Sequence, residues 1–319
     1  MGRHHAKAAA AAGASIVAIV DKNREAAVSL ASSWPGAMAE TDLHKALDSI
    51  RADVAHICTP LAAHASLSEM IADGGLHALI EKPIARTADE ARQIHECFAR
   101  SGSLTCPAHQ YAFQRSIGGA AHWLRRAGAL RRISFDICSA GAAGGLDPDE
   151  VAADILPHPL SMLQKLLRSA DVAALDWTCI RPAAGEWAVA AAVASAAVTI
   201  QISMNGRPTR FLTRITADAG SMELDNFHDF AVTLPGTASR AGKIASPFLR
   251  SGLGLTAAGW NLAARAVRGE SAYPGLRTLV SQFYRAVASD GLVPPPITPE
   301  ESIAVAVARD RITALAAHG

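Results

Sequence analysis

Cysteine and charge are both scarce in this 319-residue chain, and long unbroken apolar runs are missing. Its five cysteines are Cys58, Cys97, Cys106, Cys138 and Cys179, an odd number with no C-x-x-C pair. That argues against a disulfide framework and a structural zinc site, and fits a reducing, cytoplasmic setting. No metal centre is expected, because the adjacent His4 and His5 have no further ligands near them in sequence. Charged residues are 18% of the chain, 30 basic against 29 acidic, for a net charge of +1. Such a balance offers no general field to nucleic acid or to an anionic membrane, so a small-molecule partner is expected. The run Ala8–Val20 behind Arg3, His4, His5 and Lys7 imitates a secretion signal. Gly13 breaks it, however, and Asp21–Lys22 ends it without a small-residue cleavage site. No other stretch reaches the ~20 apolar residues of a membrane span. Internal repeats and long charge runs are also absent.

What is present is core-forming material: half the residues are hydrophobic. The length predicts two domains. The first third alternates short apolar runs with helical spacing. It predicts a helix over 3–12, a turn at Gly13–Ala14 and a buried strand over 15–20. A helix at 23–33 and a strand at Ala52–Cys58 follow. Next come a helix at 62–73, a strand at Leu76–Ile80, a helix at 86–100 and a strand at Leu104–Ala108. Strands separated by helices imply a doubly wound parallel sheet with helices on both faces. Beyond a helix near Trp123 the pattern changes. Ile133–Cys138, Leu175–Ile180, Trp187–Ile202 and Phe211–Leu224 are β-rich, several alternate polar with apolar, and Asp218–Ala219–Gly220 marks a hairpin turn. That predicts a large, mostly antiparallel open sheet. Helices close the chain at about 275–289 and 299–316. The fold class is α/β followed by α+β, with domains at 1–116 and 117–319.

A doubly wound sheet binds ligands beyond the carboxyl ends of its strands. Asp21 follows the first strand, where a carboxylate accepts from ribose hydroxyls and repels a 2′-phosphate. This favours NAD, while the adjacent Lys22 keeps NADP open. Thr59–Pro60 ends the next strand, with His64 after it. Glu81–Lys82–Pro83 leaves a buried strand abruptly, and the proline pushes Lys82 toward extended geometry, aiming it into the crevice. The X–Pro bond there is also a candidate for cis geometry. The dinucleotide fingerprint G-x-G-x-x-G is incomplete: Gly2 serves only as its last glycine. Two expectations stay open, a first strand upstream of Met1 or a loss of tight dinucleotide binding.

The stretches GRHHAKAAAAAGASIVAIVD, ADVAHICTPLAAHA, HALIEKPIA and ADILPHPLSMLQKLL resemble the glucose–fructose oxidoreductase / inositol dehydrogenase (Gfo/Idh/MocA) family. The resemblance implies an N-terminal Rossmann domain with its first strand truncated, and a C-terminal substrate-binding and oligomerisation domain. It implies an NAD(P)-dependent dehydrogenase or reductase of sugars, cyclitols or related compounds, acting as a homodimer or homotetramer. By position, Lys82 looks like the catalytic lysine, and Asp154 with His158 like the family's aspartate–histidine pair. Gly2 with Arg3 and His4, Asp21 with Lys22, and Thr59, Pro60, His64, Glu81, Lys82 and Gln110 look like cofactor contacts. The common D-x-G-x-H pattern departs here to Asp154-Ile155-Leu156-Pro157-His158, which touches the substrate pocket.

These side chains suit hydride chemistry. A neutral imidazole accepts an alcohol proton near pH 7, and a helix N-terminus at Pro157–Pro159 keeps His158 in that form. One helical turn places Asp154 and His158 on one face. Lys82 supplies positive charge to an alkoxide-like oxygen or exchanges the proton itself. A non-redox lyase, isomerase or cyclase on the same scaffold is the alternative, because it needs the same proton-transfer groups without dinucleotide turnover.

Overall fold

A computed structural model describes residues 1–139, 145–167, 171–236, 239–269 and 272–318. The chain forms two compact units, Met1–Ala108 with Leu276–Ile303, and His109–Gly275 with Ala304–Gly319.

The first unit opens with α1 (Gly2–Ala11), β1 (Ala18–Val20), α2 (Arg24–Ala31), β2 (Met38–Glu40) and α3 (Leu43–Ser49). There follow β3 (Val54–Ile57), α4 (His64–Asp73), β4 (His77–Ile80), α5 (Ala88–Arg100) and β5 (Thr105–Pro107). Every strand pair is parallel, β1 with β2 and β3–β4–β5 in a row. The two groups share no ladder among the described residues. The central strand β4 is its apolar axis, since Ala78, Leu79 and Ile80 are fully buried.

Local chemistry sets the element ends. Asn23 caps α2 by accepting from the N–H groups of Glu25 and Ala26. Thr87 caps α5 through the Glu90 N–H, and the Glu90 carboxylate turns back onto Arg86 N at 2.7 Å. The inner face of α5 carries Ala91, Ile94 and Phe98. Helix α10 (Leu276–Ala288) returns to this unit and packs on α1 and β4 through Leu276, Leu279, Val280 and Phe283.

The expected strand over 15–20 is shorter, and it is not buried. Val17 and Val20 are each 36% exposed. Among the described residues, only β2, itself three residues long, flanks β1. A strand hydrogen-bonded on one edge by so short a partner gains little cover.

The second unit contains α6 (Arg115–Leu124), β6 (Leu130–Cys138), α7 (Pro148–Ile155) and α8 (Pro157–Leu166). Strands β7 (Thr178–Ala183), β8 (Glu186–Val193), β9 (Ala196–Ser203), β10 (Arg210–Ala217), β11 (Gly220–Asp225) and β12 (Phe230–Pro235) follow. They form one seven-stranded sheet, ordered β12-β11-β10-β6-β9-β8-β7, antiparallel except for the β6–β9 pair. The alternation read in the sequence is its burial pattern: in β9, Ala196, Val198, Ile200 and Ile202 point inward. Phe135, Ile133, Leu160, Met162, Phe211 and Ile312 share the core beneath. The segment 187–202 is two strands rather than one, folded back at Ala194, whose φ is 50°. The hairpin at Asp218–Ala219–Gly220 joins β10 to β11, where a Cβ on Gly220 would lie 2.2 Å from the Leu234 carbonyl.

The last helices are α9 (Arg240–Arg268) and α11 (Pro299–His318). Helix α9 was not apparent in the sequence. It packs on β12, yet leaves Ile244, Phe248, Leu255 and Leu262 more than 70% exposed. Among the described residues no helix is long and apolar enough to cross a membrane. Truncation of the fully buried Phe135 to alanine is expected to lower stability by about 3–5 kcal/mol in chemical denaturation, with an unchanged m-value.

Candidate functional site

In the first unit, the predicted residues stand at the carboxyl ends of the parallel strands and at the start of α1. Helix α1 has no acidic residue in its first turn and no side-chain cap. A side chain at Gly2 would meet only Leu30 Cδ2, at 3.9 Å, so the helix start is open on that side. Arg3 is exposed beside it. Burial, reinforced by the neighbouring cationic groups Lys7 and Arg3, lowers the pKa of His4, which favours a neutral ring.

Asp21 follows β1 directly. Its N–H bonds the Glu40 carbonyl, its Oδ1 accepts from Asn23 N at 2.9 Å, and the side chain is exposed with Lys22 next to it. Thr59 and Pro60 lie exposed after β3, and a single 3-10 turn leads into α4. His64, at the first position of α4, is buried. Its Nδ1 faces the carbonyls of Pro83 and Ile84 at 3.1 and 3.2 Å, and its Nε2 faces the Thr59 carbonyl at 3.1 Å. The ring thereby fixes the loop after β3 against the loop after β4.

Glu81 and Lys82 come at the end of β4. Glu81 is 7% exposed. Its N–H continues the ladder to Ile57 O, its Oε1 takes His5 Nε2 at 2.8 Å, and its Oε2 accepts from Lys82 N at 3.1 Å. Both carboxylate oxygens are thus engaged, and the backbone on which Lys82 rides is held. The Lys82–Pro83 peptide is cis.

Sequence reasoning missed the groups behind Glu81. His5 Nδ1 lies 2.9 Å from His56 Nδ1, and His56 Nε2 lies 2.8 Å from Tyr284 Oη. His56 occupies β3 and Tyr284 occupies α10. Spacing gives no hint of this, because the partners are 51 and 228 positions apart.

In the second unit, Asp154 ends α7 and His158 opens α8. A helix does begin at Pro157, as the prolines implied, and Asp154 lies on the helix before it. Pro157 and Pro159 have no N–H to donate, so the hydrogen-bond ladder is interrupted after the Leu156 N–H, which still bonds the Ala152 carbonyl. Leu156 keeps helical dihedrals, and the four-residue spacing survives the break. His158 is 9% exposed, and its ring meets Tyr111 edge-on with centroids 4.6 Å apart. Burial raises the Tyr111 phenol to about 12, so it remains protonated. Gln110 is buried on the 3-10 turn that also carries Tyr111. Gly275, at φ 95°, passes so close that a Cβ there would fall 2.2 Å from the Gln110 carbonyl.

Helix α7 is anchored by Asp149. Its Oδ2 takes Arg181 Nη2 at 2.5 Å, and its Oδ1 takes Gly185 N and Trp187 Nε1, each at 2.8 Å. The Arg181 guanidinium, helped by those two donors, holds the Asp149 carboxyl down to about 2 against the opposing effect of partial burial. Among the described residues no group of three or more metal-ligating side chains occurs.

Residues 1–109 match the GFO_IDH_MocA model, described as an oxidoreductase family with an NAD-binding Rossmann fold. That match spans about a third of the chain. Over 104 residues the chain is 28% identical to the 1-carboxy-3-chloro-3,4-dihydroxycyclohexa-1,5-diene dehydrogenase of Comamonas testosteroni, covering 33% of this chain and 26% of that protein. Over 89 residues it is 28% identical to the D-glucoside 3-dehydrogenase of Escherichia coli, covering 28% and 25%. The matches thus span about a quarter of these two relatives' length. A levoglucosan dehydrogenase structure, in complex with NADH and levoglucosan, is similar along the whole chain. Its TM-score is 0.75 at 17% identity, covering 100% of this chain and 95% of that one. The WlbA dehydrogenase from Bordetella pertussis, in complex with NADH and UDP-GlcNAcA, gives 0.72 at 15%, covering 100% and 93%. These likenesses establish the two-part fold.

Because the Asp149 pKa is depressed on folding, its stabilising contribution is complete above about 4 and is lost as pH falls through about 2. Asp149→Asn is therefore expected to cost roughly 2 kcal/mol at neutral pH and to flatten the melting temperature between those limits. Thermal melts of both proteins across acid pH measure it.

Proposed function

We propose that this protein is an NAD(P)-dependent oxidoreductase that moves a hydride between a nicotinamide and a carbinol or carbonyl carbon of a sugar, cyclitol or related compound. The observation that carries this reading is Glu81–Lys82–Pro83 at the carboxyl end of the buried strand β4, with Glu81 fixed on both oxygens. The family match over residues 1–109 supports it, as do the dehydrogenases among the relatives.

The residues of the first unit fit a dinucleotide. The open start of α1 at Gly2, Arg3 and His4, with the Arg3 guanidinium beside it, suits a diphosphate. The exposed Asp21 suits the hydroxyls of an unphosphorylated ribose, which favours NAD, and Lys22 leaves room for NADP. Thr59, Pro60, His64, Glu81 and Lys82 would line or support the nicotinamide end, together with Gln110. When bound, the oxidised cofactor supplies the hydride acceptor.

The chain's own groups manage the proton and the charge. His158 accepts the hydroxyl proton, Asp154 orients or polarises the ring, and Lys82 stabilises the developing alkoxide. Tyr111, edge-on to His158, keeps that ring in place. We assign cofactor binding to the N-terminal region, 1–116, and substrate binding and assembly into a homodimer or homotetramer to 117–319.

Titration of intrinsic fluorescence with NADH and NADPH tests the cofactor half. Micromolar binding of NADH is expected, and binding absent or only at millimolar levels would overturn the reading in favour of non-redox chemistry on this scaffold. Asp21→Ala should weaken NADH more than NADPH. With levoglucosan, a methyl glucoside and myo-inositol as trial alcohols, Lys82→Met should lower turnover by roughly 100-fold or more while leaving NADH binding intact. His158→Asn should also flatten the pH–rate profile near neutrality, and a variant with a normal rate removes its residue from the mechanism.

A further inference from the structure

Helix α9 is amphipathic, but its cationic side faces the protein and its apolar side faces water. A surface helix ordinarily does the reverse, turning its apolar stripe to the core. The charged residues of α9 are Arg240, Lys243, Arg250, Arg265 and Arg268, all cationic. At about 3.6 residues per turn they fall within one arc of roughly 80°. That arc is the side on which the helix meets the sheet. Arg250 Nη2 lies 2.6 Å from Glu223 Oε2 on β11, and Arg265 Nη1 lies 3.3 Å from the His228 carbonyl. Asn261, 7% exposed, donates from Nδ2 to the same carbonyl at 2.5 Å.

The opposite face carries no charge. Its midline is a line of exposed small residues at seven-residue spacing, Ala245, Gly252, Gly259 and Ala266. A Cβ added at Gly252 or Gly259 would meet no described atom within 4 Å. Large side chains flank this line, with Phe248, Leu255 and Leu262 on one side and Leu249, Trp260 and Val267 on the other. Each of the six is at least 55% exposed. With Ile244 and Leu253 they leave on the order of 1,000 Å² of apolar side chain in water. The largest apolar patch on a typical monomer is roughly 300–600 Å². A stable interface takes ~800 Å² from each partner, so this one face supplies enough.

The spacing selects the occupant. A seven-residue apolar repeat is the repeat of paired helices. In α9 it is also symmetric end to end: outward from Leu255–Thr256, the midline and the Phe248 row read alike in both directions. A second α9, laid antiparallel on a two-fold axis at that point, sets Leu255 against its own copy. Phe248 then meets Leu262, Gly252 meets Gly259 and Ala245 meets Ala266, on both sides of the axis. Every residue finds its match on an identical surface, as an isologous interface requires. The small residues let the two backbones approach, and the large rows close over the seam. The cations of both copies stay turned to their own sheets, so no like charges meet. A membrane surface suits this face less well. A helix lying in a bilayer interface offers its cations to headgroups, whereas Arg250 and Arg265 are committed to the sheet.

We propose that α9 is a self-association helix, which pairs antiparallel through its uncharged face with α9 of a second copy of this chain. The pairing rests on the assembly assigned to 117–319 and names its surface. It is independent of the hydride chemistry.

Light scattering behind size-exclusion chromatography of the full chain, from about 1 to 100 μM, tests the pairing. Leu255→Glu places two carboxylates together at the two-fold axis and should halve the mass of the assembly. The position is exposed, so the circular dichroism spectrum should not change. Phe248→Glu and Leu262→Lys should each weaken association by roughly 100-fold, and the double variant Phe248→Glu/Leu262→Lys should regain at least ~10-fold. That recovery can come only from a second copy, since positions 248 and 262 of one helix are about 21 Å apart. A wild-type oligomer that survives Leu255→Glu, or a double variant no tighter than the single ones, overturns the pairing and leaves assembly through another surface standing. A wild-type chain that stays monomeric across the range overturns both. Flotation with phosphatidylcholine–phosphatidylserine vesicles tests the other occupant. A monomer that floats with the vesicles, and no longer does so as Leu255→Glu, assigns the face to lipid and overturns the proposal.

Discussion

A carboxylate at the end of a buried strand cannot stand alone; it must be supplied with donors or lose its charge. Glu81 is in that position, and its two oxygens are met by His5 from the first helix and by the N–H of Lys82. The rest of the first unit is organised by this demand. Satisfying Glu81 draws α1 against β4, satisfying His5 draws in His56 on β3, and satisfying His56 draws in Tyr284 on α10. Removing any member leaves a polar neighbour buried without its partner, which costs more than the bond itself contributes. The lysine proposed for chemistry is the residue whose backbone closes this set.

The second unit solves a different problem. Its seven-stranded sheet provides a broad rigid face and a single hydrophobic core of Ile, Leu, Phe and Met side chains. On that base sit two short helices whose junction is set by prolines and whose first turn is tied down by Asp149. The side chains proposed for proton transfer lie on either side of the junction, held by elements that pack well rather than by loops. Rigid support for Asp154 and His158 and a hydrogen-bonded seat for Lys82 are two routes to the same end, since catalytic groups lose much of their effect when displaced by an ångström.

Much of this was legible in the residues. The parallel strands at Val54–Ile57 and His77–Ile80, the helices between them and the hairpin at Gly220 follow from apolar runs and turn residues. The elements that escaped have local reasons. Strand β2 is three residues long, below any periodicity. The fold-back at Ala194 lacks glycine, asparagine and proline, so nothing in sequence marks it. Helix α9 contains Pro247 and several glycines, poor helix formers that hide it in the sequence until packing on β12 overrides them. The EKP triplet was legible as a site because charge follows a buried strand abruptly. Its support by His5, His56 and Tyr284 was not, because tertiary contacts over such separations leave no spacing signature.

The path of the chain through the two units has its own consequence. The polypeptide leaves the first unit after Ala108, re-enters at Leu276 and leaves again after Ile303. The segment His109–Gly275 is therefore an insertion nested within a discontinuous unit. A gene fragment ending where the first alternation of strands and helices ends would lack α10, its apolar cover over α1 and β4, and Tyr284 with it. This architecture resists modular shuffling: the nucleotide-type half cannot be transplanted as a contiguous cassette, and a circular permutant opened between Gly275 and Leu276 would test how much of its folding depends on chain order.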